Sequence, residues 1–527
     1  MNLNPVQAVF EQCQYTPDAL ALYADGIELT YGELLQQVLR LSDALRSNNI
    51  GHKNRVGILA SRSLIAIQAV FSVAWCGATY VPLGTRWPEE RIKTVNDLTR
   101  LDAIVVDQRA VSLISPEVLS DIKLVVVPDQ EVASLLPDLP TQVILALESL
   151  PGPGEIMAPA KMSGDDLAYI IFTSGTTGVP KGVMVNCASV DVYLRALGGL
   201  KAMTPEDRAS QFTELSFDPS LGEIFVPLTV GASLHVVPPL NSMSPVRFIR
   251  ERQLSVWGST PAAIAWMRDT RALQPGVLSC LRYSSFGGEP LPLESVLTWQ
   301  AAAPNSAIDN FYGPTEATVD CAAQRVDAGA APVVSPDRGI LAIGVPHPGS
   351  ELAIFDQDRH RMPAGEIGEL AIAGGQLAVG YLDAPDLTAR RYPTIDGKRW
   401  FLTGDLAYQD ESGLFHYMGR QDNQIKIHGY RVELEDVEAH LRAVVGDNQV
   451  VAVAWPIADG VAKGIVGFVA NSSINTNQVR EALRNRLPAY MVPSRIHALE
   501  ELPHTASGKV DRNALIVQLD SAKGKGS

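Results

Sequence analysis

A segment rich in hydroxyl groups and glycines is the part of this sequence best suited to chemistry. It follows Tyr169-Ile170-Ile171-Phe172, an apolar run that predicts a buried strand. Its three glycines let the backbone approach a polyphosphate closely, and its four hydroxyl groups and one lysine can donate hydrogen bonds to phosphate oxygens. We therefore predict a phosphate-binding loop. The loop consists of Thr173, Ser174, Gly175, Thr176, Thr177, Gly178, Val179, Pro180, Lys181 and Gly182.

Two other interpretations of this segment fit its residues less well. A Walker A loop requires a glycine before its lysine and a hydroxyl group after it, whereas this chain has Pro180 and Gly182 at those places. A flexible surface turn rarely needs so many hydrogen-bond donors between a buried strand and a second apolar run, Val183-Met184-Val185. The segment is therefore expected to bind a triphosphate in a manner different from Walker A.

The elements that would position this loop alternate along the chain. Thr30 and Glu33 have the spacing of a capping box, which predicts that a helix begins there. The apolar runs at residues 56–59, 103–106 and 124–127 predict short buried strands, with helical patterns between them. This alternation favours the α/β fold class, with mostly parallel sheets.

The chain is too long for a single hydrophobic core. It has 527 residues, and its pattern changes near residue 420, where a compact region of about a hundred residues begins. We predict a large N-terminal domain, residues 1–420, with layered α/β subdomains and a smaller β-structure. We predict a small α+β C-terminal domain over residues 421–527.

Charge and cysteine content exclude several classes of protein. The net charge is −15 and no strongly basic block occurs, so a nucleic-acid partner is not expected. The five cysteines form no CxxC pair, which favours reduced thiols over a zinc site or a disulfide framework. The start of the chain lacks the pattern of a signal peptide, and no apolar run approaches the roughly 20 residues that span a bilayer. We predict a cytoplasmic protein with no membrane partner.

Seven motifs along the chain, the phosphate loop included, resemble in order those of the adenylate-forming superfamily. This superfamily includes acyl-CoA synthetases, firefly luciferase and the adenylation domains of nonribosomal peptide synthetases. The resemblance covers nearly the whole chain, with departures at Gly84-Thr85-Arg86 and Phe401-Leu402. It implies that the C-terminal domain is mobile. The other six motifs are residues 76–83, 310–316, 368–370 with 379–381, 402–405, 419–427 and 507–512.

The resemblance implies that ATP and Mg²⁺ are the cofactors and indicates how the nucleoside is held. Tyr312, followed by Gly313, would stack on adenine. Asp405 would accept hydrogen bonds from both ribose hydroxyls, which suits an acceptor with two oxygens. Arg420 and Tyr417 would flank the same ribose. An aromatic residue at position 417 is equally consistent with a place in the core.

Four further residues would act on the phosphates and on the reaction. The resemblance implies that Thr315 contacts the α-phosphate and that Glu316 binds Mg²⁺, which takes one or two carboxylates plus phosphate oxygens. Lys509 would be the catalytic cation that offsets the repulsion between the substrate carboxylate and the α-phosphate. Asp422 would be the hinge about which the small domain rotates between adenylation and thioester formation. Taken alone, Lys509 would be an exposed surface lysine and Asp422 a solvated loop residue.

The residues around Asp218 determine the class of acid. The resemblance implies that Asp218 pairs with the α-ammonium group of an amino acid, and that Phe217 is an aromatic gate beside the substrate carboxylate. Two phenylalanines would narrow the pocket and favour a small or cyclic apolar amino acid such as proline. Asp320 instead favours a polar or basic side chain. The side-chain pocket would be lined by Pro219, Gly222, Gly258, Ser284, Phe286, Phe311, Val319 and Asp320.

These residues together predict an AMP-forming ligase of the nonribosomal peptide synthetase type. It would convert an amino acid to the aminoacyl adenylate and load it onto the phosphopantetheine thiol of a carrier protein. Only 18 residues follow Lys509, so we expect a free-standing enzyme whose carrier is a separate protein. An acyl-CoA synthetase that makes a free CoA thioester is one alternative. A non-catalytic nucleotide-binding protein is the other.

Overall fold

The structure of the protein is a computed structural model, in which the described residues form two compact units. The first unit contains Met1–Thr85, Asn96–Phe172 and Gly182–Gln421. The second contains Arg86–Val95, Thr173–Lys181 and Asp422–Ser527, so the phosphate loop groups with the C-terminal residues. The structure describes residues 2–139, 142–154, 156–175, 178–239, 245–336, 338–427, 429–447, 449–458, 461–471, 474–504 and 510–523.

Several helices begin at a residue whose side chain caps the first turn, or with a proline in that turn. The capping box predicted for the second helix is confirmed, because Thr30 Oγ1 accepts a hydrogen bond of 3.2 Å from the Glu33 amide and Glu33 Oε2 accepts one of 2.8 Å from the Thr30 amide. The helices are α1 Gln7–Tyr15, α2 Tyr31–Ser47, α3 Leu64–Trp75, α4 Glu89–Thr99, α5 Gln130–Ser134, α6 Cys187–Lys201, α7 Pro219–Thr229, α8 Pro245–Glu251, α9 Pro261–Asp269, α10 Leu293–Ala302, α11 Pro385–Arg391, α12 Leu434–Val445, α13 Thr476–Arg484 and α14 Arg512–Lys523.

Strands alternate with these helices, and those predicted from short apolar runs are present. The strands are β1 Leu20–Ala24, β2 Ile27–Thr30, β3 Arg55–Leu59, β4 Thr79–Pro82, β5 Ala103–Val106, β6 Leu124–Val127, β7 Val143–Ala146, β8 Leu167–Thr173, β9 Lys181–Asn186, β10 Arg208–Gln211, β11 Ser233–Val236, β12 Val256–Ser259, β13 Tyr283–Gly287, β14 Ala307–Tyr312, β15 Ala322–Val326, β16 Val334–Ser335, β17 Ile340–Leu341, β18 Val345–Pro346, β19 Ser350–Phe355, β20 Gly368–Gly374, β21 Gly380–Tyr381, β22 Thr394–Ile395, β23 Lys398–Arg399, β24 Phe401–Gln409, β25 Phe415–Arg420, β26 Gln424–Ile427, β27 Tyr430–Glu433, β28 Val450–Ala454, β29 Ile457–Ala458, β30 Val461–Ala462, β31 Ile465–Val469 and β32 Arg495–Ala498.

Two large, mostly parallel sheets confirm the predicted α/β class. One has nine strands in the order β18-β15-β14-β13-β12-β10-β11-β1-β2, and the other has eight in the order β21-β9-β8-β4-β3-β5-β6-β7. Strands β10 to β14 pair in parallel. Because the carboxyl ends of parallel strands meet at one edge, the loops after β12, β13 and β14 lie on the same side of the nine-stranded sheet.

The core of the first unit lies between these two sheets. One continuous apolar cluster draws residues from both sheets and from helices α2, α3, α6 and α7, including the buried Phe71 and Phe225. A second cluster covers the other face of the nine-stranded sheet, where α8, α9 and α10 pack. A smaller antiparallel sheet, β19-β20-β24-β25, completes the unit and corresponds to the predicted smaller β-structure.

The second unit has a small sheet packed on both faces by helices. Strands β28, β31 and β32 form it. Apolar residues of α12 and α13 fill one face, and those of α14, such as Leu515, fill the other. No helix in the described part of the chain is both long enough and apolar enough to cross a membrane.

Candidate active site

Three residues predicted to bind the nucleoside lie together in the first unit. Strands β24 and β25 pair with Asp405 opposite Arg420, and Arg420 Nη1 donates a hydrogen bond of 2.6 Å to Asp405 Oδ1. Tyr312, the last residue of β14, donates its hydroxyl hydrogen to the other carboxylate oxygen. Burial and the charge of Asp405 raise the pKa of Tyr312, which therefore stays neutral. The result is a fixed acceptor with two oxygens, suited to a pair of sugar hydroxyls.

Tyr417 lies on β25 and contacts a different group. Its ring packs against the main core, and the guanidinium of Arg338 lies 5.6 Å from the ring centre. Arg338 also donates a hydrogen bond to the carbonyl oxygen of Met418. Tyr417 is thus a half-buried residue that packs on the core and lies beside a cation, and its place next to the ribose stays a prediction.

A tight turn after β14 places the predicted Mg²⁺ ligand. A Cβ at Gly313 would lie 2.3 Å from the Cα of Asp320, so only glycine fits. Thr315 begins a single 3₁₀ turn, and Glu316 in its centre is 1% exposed. Glu316 Oε1 accepts a hydrogen bond of 2.8 Å from the Tyr381 hydroxyl. The carboxylate of Glu316 is thus held in one buried position.

This donor set fits Mg²⁺. The ion keeps several waters and takes one or two carboxylates plus phosphate oxygens, instead of an all-protein cage. A single buried carboxylate with a hydroxyl group bound to it meets that requirement. Glu316 is therefore the residue that would hold the ion.

In the described part of the phosphate loop, the backbone requires glycine at two positions, and one hydroxyl group forms hydrogen bonds within the second unit. A Cβ at Gly175 would lie 1.9 Å from the carbonyl oxygen of Val179, and Gly178 has a φ of 83°. Within the second unit, Ser174 Oγ donates to the Arg431 carbonyl and accepts from the Glu433 amide, both at 3.1 Å. Thr176 and Thr177 lie outside the described residues, and Thr173 and Lys181 are the strand residues that flank the loop.

Asp218 is a buried carboxylate at the start of α7. Its charge contributes to the raised pKa values of the buried residues Tyr80, Tyr169 and Tyr193. Burial is the larger cause of each shift. Asp218 is 8% exposed. The first unit therefore contains a carboxylate next to several neutral phenols.

The neighbours of Asp218 in the sequence differ in burial. Phe217 is half-buried and Pro219, the first residue of α7, is exposed. A Cβ at Gly222 would lie 2.5 Å from the Tyr193 hydroxyl oxygen, so Gly222 gives this hydroxyl its space. Of these residues, Gly222 is the one whose contacts link α7 to the tyrosine cluster around Asp218.

The prediction that Ser284 and Phe286 line the pocket needs correction. Ser284 Oγ bonds Ser306 Oγ at 2.8 Å and accepts a hydrogen bond from the Trp299 indole at 2.9 Å, in the cluster under α10. Phe286 packs edge-on against the same Trp299, at 5.1 Å between ring centres. Successive strand residues point to opposite faces, so both belong to the face away from Asp218's helix.

Ser285 and Gly287 are the residues of β13 that share a face with the other predicted pocket residues. Gly258 is paired with Ser285, and a Cβ at Gly258 would lie 3.4 Å from Ser285 Oγ and 3.3 Å from Glu223 Oε1 of α7. Gly287 is paired with Phe311. The sequence assignment on this strand was therefore wrong by one residue. The assignment of Phe311, Val319 and Asp320 to the pocket stays a prediction.

The two remaining predicted residues, Asp422 and Lys509, belong to the second unit. Asp422 is its first C-terminal residue, and Asp422 Oδ1 accepts a hydrogen bond of 3.2 Å from the Gln424 amide. The predicted boundary at 420/421 lies one residue from the division at 421/422, but the second unit also contains Arg86–Val95 and Thr173–Lys181, which were predicted to lie in the N-terminal domain. Lys509 lies outside the described residues. On either side of its segment, His504 and Val510 form an antiparallel bridge.

Sequence comparison with known families decides the class of protein. The family described as AMP-binding enzyme matches residues 9–382, and its C-terminal domain matches residues 435–509. The chain belongs to the AMP-binding enzyme family. It is therefore an adenylate-forming ligase, as the motifs predicted.

Several individual proteins are similar to this AMP-binding enzyme over nearly its whole length. Tyrocidine synthase 3 of Brevibacillus parabrevis is 33% identical over 96% of the chain, which spans 8% of that protein. Enterobactin synthase component F of Escherichia coli (strain K12) is 32% identical over 96% of the chain and 38% of that protein. The chain thus spans well under half the length of these curated relatives. The solved adenylation domain AlmE of Vibrio cholerae, in complex with glycyl-adenosine-5'-phosphate, is 31% identical with a TM-score of 0.87, covering 99% of this chain and 98% of that one.

In this AMP-binding enzyme a strained turn separates Glu316 from Asp320. Thr318 and Val319 have φ values of 55° and 73°, a conformation that β-branched residues rarely adopt. The side chain of Gln376, 1% exposed, holds the turn. Its Nε2 lies 2.7 Å from the Asp320 carbonyl oxygen and 3.4 Å from those of Ala317 and Thr318. In addition, Thr318 Oγ1 donates to the Gln376 carbonyl at 2.6 Å.

Replacing Gln376 by alanine is expected to loosen this turn. The loss leaves buried carbonyl groups without a donor, which costs about 1–3 kcal/mol. The midpoint of thermal unfolding should fall by about 1–4 °C. Because Glu316 and Asp320 would shift, kcat/KM for adenylation should fall by about 10- to 100-fold. Gln324→Ala is the control, since the amide of Gln324 donates to the carbonyl of the next residue. Unfolding at a lower temperature with unchanged kinetics would show that Gln376 only stabilises the fold.

Sequence reasoning missed three residues for different reasons. Tyr381 lies within the motif at 379–381, so the sequence could have indicated that it lies near the site, where it donates a hydrogen bond to the Glu316 carboxylate. Gln376 lies just outside that motif and acts through contacts 56 to 59 residues away, which leave no local pattern. Ser285 could be found only from the register of β12 and β13.

Proposed function

We propose that this chain activates an amino acid with ATP and passes the aminoacyl group to the phosphopantetheine thiol of a separate carrier protein. In the first step a carboxylate oxygen of the amino acid attacks the α-phosphorus of ATP. The bond to the bridging oxygen breaks, pyrophosphate leaves with its electrons, and the aminoacyl adenylate forms. The single observation that carries the choice of an amino acid is the buried carboxylate of Asp218.

A buried carboxylate is costly unless a cation pairs with it. The hydroxyl groups that experience the charge of Asp218 belong to three tyrosines, and burial keeps these phenols neutral. Neutral phenols can donate hydrogen bonds to this carboxylate, and the α-ammonium group of an amino acid would form an ion pair with it. A fatty acid would bring an alkyl chain to the same place and offer no ion pair.

The nucleotide residues have separate tasks in this proposal. Asp405, held by Arg420, would accept hydrogen bonds from the ribose hydroxyls. Thr315 lies next to Glu316 on the 3₁₀ turn and would donate to the α-phosphate. Bound at Glu316, Mg²⁺ would neutralise part of the phosphate charge. The phosphate loop would hold the β- and γ-phosphates, and Lys509 would offset the repulsion between the two reacting anions.

Relatives support the amino-acid part of the proposal. The adenylation domain AlmE was solved with an amino acid joined to AMP, and it covers nearly the same length as this chain. The curated relatives are synthases of the tyrocidine and enterobactin type. With Phe286 outside the pocket, Phe311 is the phenylalanine that still supports a small or cyclic substrate such as proline. The five free cysteines support a reducing, cytoplasmic location.

The carrier step is tested by locking the hinge. A proline fixes φ, so Asp422→Pro should prevent rotation of the small domain while leaving the first step intact. We expect near-normal pyrophosphate exchange and no thioester on a panel of purified carrier proteins in their phosphopantetheine form, followed by intact-protein mass spectrometry. Asp422→Ala, which keeps backbone freedom, is the matched control.

Three other outcomes would contradict the carrier proposal. Equal loss of exchange and thioester formation in Asp422→Pro would mean that the residue is not a hinge between two steps. Thioester formation with coenzyme A, and with no carrier, would identify an acyl-CoA synthetase. ATP binding without exchange for any acid would identify a non-catalytic nucleotide-binding protein.

A further inference from the structure

The hydroxyl group of Tyr381 holds one of the two carboxylate oxygens of Glu316. Tyr381 is 5% exposed and Glu316 is 1% exposed, so water has little access to the hydrogen bond of 2.8 Å between them. This bond goes to Oε1 of the carboxylate. An ion bound by both oxygens of Glu316 would therefore have to displace a buried hydroxyl group, and that displacement costs free energy.

The main chain of Glu316 is fixed as well. Its carbonyl oxygen accepts a hydrogen bond of 3.0 Å from the Tyr392 hydroxyl and another of 3.0 Å from the Ala378 amide. The Arg399 guanidinium covers the Tyr392 ring, at 4.3 Å from the ring centre. Because the main chain and Oε1 are both held, the Glu316 carboxylate cannot turn without breaking a buried hydrogen bond.

The position of Tyr381 is set by its strand and by Thr388. In the antiparallel pair of β21 and β9, Tyr381 lies opposite Val183. The Tyr381 amide donates a hydrogen bond of 3.0 Å to Thr388 Oγ1. A Cβ at Gly380 would lie 2.5 Å from Thr388 Cγ2, so glycine at that position lets β21 pass close to α11. Contacts of its own backbone thus place Tyr381, in addition to the hydrogen bond with Glu316.

The number of oxygens that one carboxylate supplies separates Mg²⁺ from Ca²⁺. Mg²⁺ is the smaller ion, and it keeps several waters in near-ideal octahedral geometry beside one or two carboxylates and phosphate oxygens. Ca²⁺ takes about six to eight oxygens and can bind a carboxylate through both of its oxygens. A glutamate restricted to one oxygen therefore suits Mg²⁺ better than Ca²⁺.

We propose that Tyr381 is a positioning residue that selects Mg²⁺ over Ca²⁺, because its hydroxyl group restricts Glu316 to binding the ion through one oxygen. This inference rests on the proposed function, in which the ion at Glu316 neutralises part of the phosphate charge. Removing the hydroxyl group leaves the carboxylate in place and releases Oε1. The released oxygen can then become a second ligand, which favours the larger ion.

The test is the affinity of the protein for α,β-methylene-ATP at saturating Mg²⁺ or saturating Ca²⁺, measured by isothermal titration calorimetry. The methylene bridge prevents pyrophosphate from leaving, so the measurement needs no acid substrate and no turnover. We expect the wild-type protein to bind the Mg²⁺ complex at least about tenfold more tightly than the Ca²⁺ complex, since Ca²⁺ must displace a hydrogen bond to a charged group. Equal affinities would overturn the inference, and this measurement needs no variant to fold.

The variant Tyr381→Phe then assigns the preference to the hydroxyl group. The variant keeps the ring, and the ratio of the two dissociation constants should move toward Ca²⁺ by about tenfold. Tyr392→Phe is the matched control, because the Tyr392 hydroxyl donates to the main chain of Glu316 and not to its carboxylate. The control should change the affinity for both complexes by the same factor and leave their ratio unchanged.

Two results with the variants would overturn the inference and leave amino-acid activation standing. One is an unchanged ratio in Tyr381→Phe. The other is the same change of the ratio in Tyr381→Phe and in Tyr392→Phe, which would make both tyrosines general supports of the turn at Glu316. A wild-type protein that binds neither complex would instead contradict the proposed function, and the inference with it.

Discussion

Replacing Asp218 by asparagine is expected to reduce amino-acid-dependent pyrophosphate exchange by about 10²- to 10³-fold in kcat/KM. The change removes one partner of a buried ion pair, and the α-ammonium group of the substrate would then enter a buried site without its counter-charge. The loss should appear mainly as a higher KM for the amino acid. The KM for ATP should change little, because the nucleotide residues Tyr312, Asp405 and Arg420 form hydrogen bonds with one another that do not involve Asp218.

A surface carboxylate provides the control for Asp218. Asp191 on α6 forms an exposed ion pair of 2.9 Å with Arg195, and pairs of this kind contribute little. Asp191→Asn should therefore retain wild-type exchange. If Asp218→Asn retained it as well, the carboxylate would not bind the substrate. If the variant instead gained activity with a fatty or aryl acid, the carboxylate of Asp218 would be shown to exclude acids that lack an ammonium group.

Replacing Lys509 by alanine is expected to reduce kcat for exchange by about 10²- to 10³-fold, with ATP binding largely intact. The resemblance makes Lys509 the cation that lies between the substrate carboxylate and the α-phosphate. Removing it restores the repulsion of two anions in the transition state, whereas the triphosphate keeps the phosphate loop and Glu316. Exchange kinetics and ATP affinity, measured on the same preparation, separate the two effects.

Lys463 is the matched control for Lys509. It is an exposed lysine in the C-terminal part of the second unit, so its loss should leave both exchange and ATP affinity unchanged. A near-normal exchange rate in Lys509→Ala would remove the lysine from the reaction. A loss of ATP binding as large as the loss of exchange would make it a nucleotide-binding residue.

The fold followed closely from the sequence because its signals are local. Alternating apolar runs and helical patterns predicted the α/β class, and the capping box of Thr30 and Glu33 is present at α2. The motif residues Tyr312, Asp405 and Arg420 come together although they lie up to 108 residues apart, because the last residue of β14 reaches the paired residues of β24 and β25. The order of several motifs along the chain predicted that these residues act on one nucleoside, whereas no single motif implies the contact.

The residues that line the pocket were harder to predict from the sequence, because they depend on strand register and on long-range contacts. Along β13 the side chains alternate between two faces, so a shift of one residue exchanges Ser285 for Ser284 and brings Phe286 into a pocket it does not line. The pairing of Gly258 with Ser285 sets that register, and it involves two strands joined by α9. The support of Gln376 for the turn at Thr318 likewise depends on side-chain contacts that no spacing rule describes.

The central claim is that the buried carboxylate of Asp218 and the nucleotide residues serve amino-acid activation. ATP–pyrophosphate exchange by the wild-type protein tests it most directly, with the proteinogenic amino acids and a set of fatty and aryl acids as substrates. We predict exchange that depends on an amino acid and is at background level with every fatty and aryl acid. Exchange with fatty or aryl acids alone, or with no acid at all, would contradict the claim.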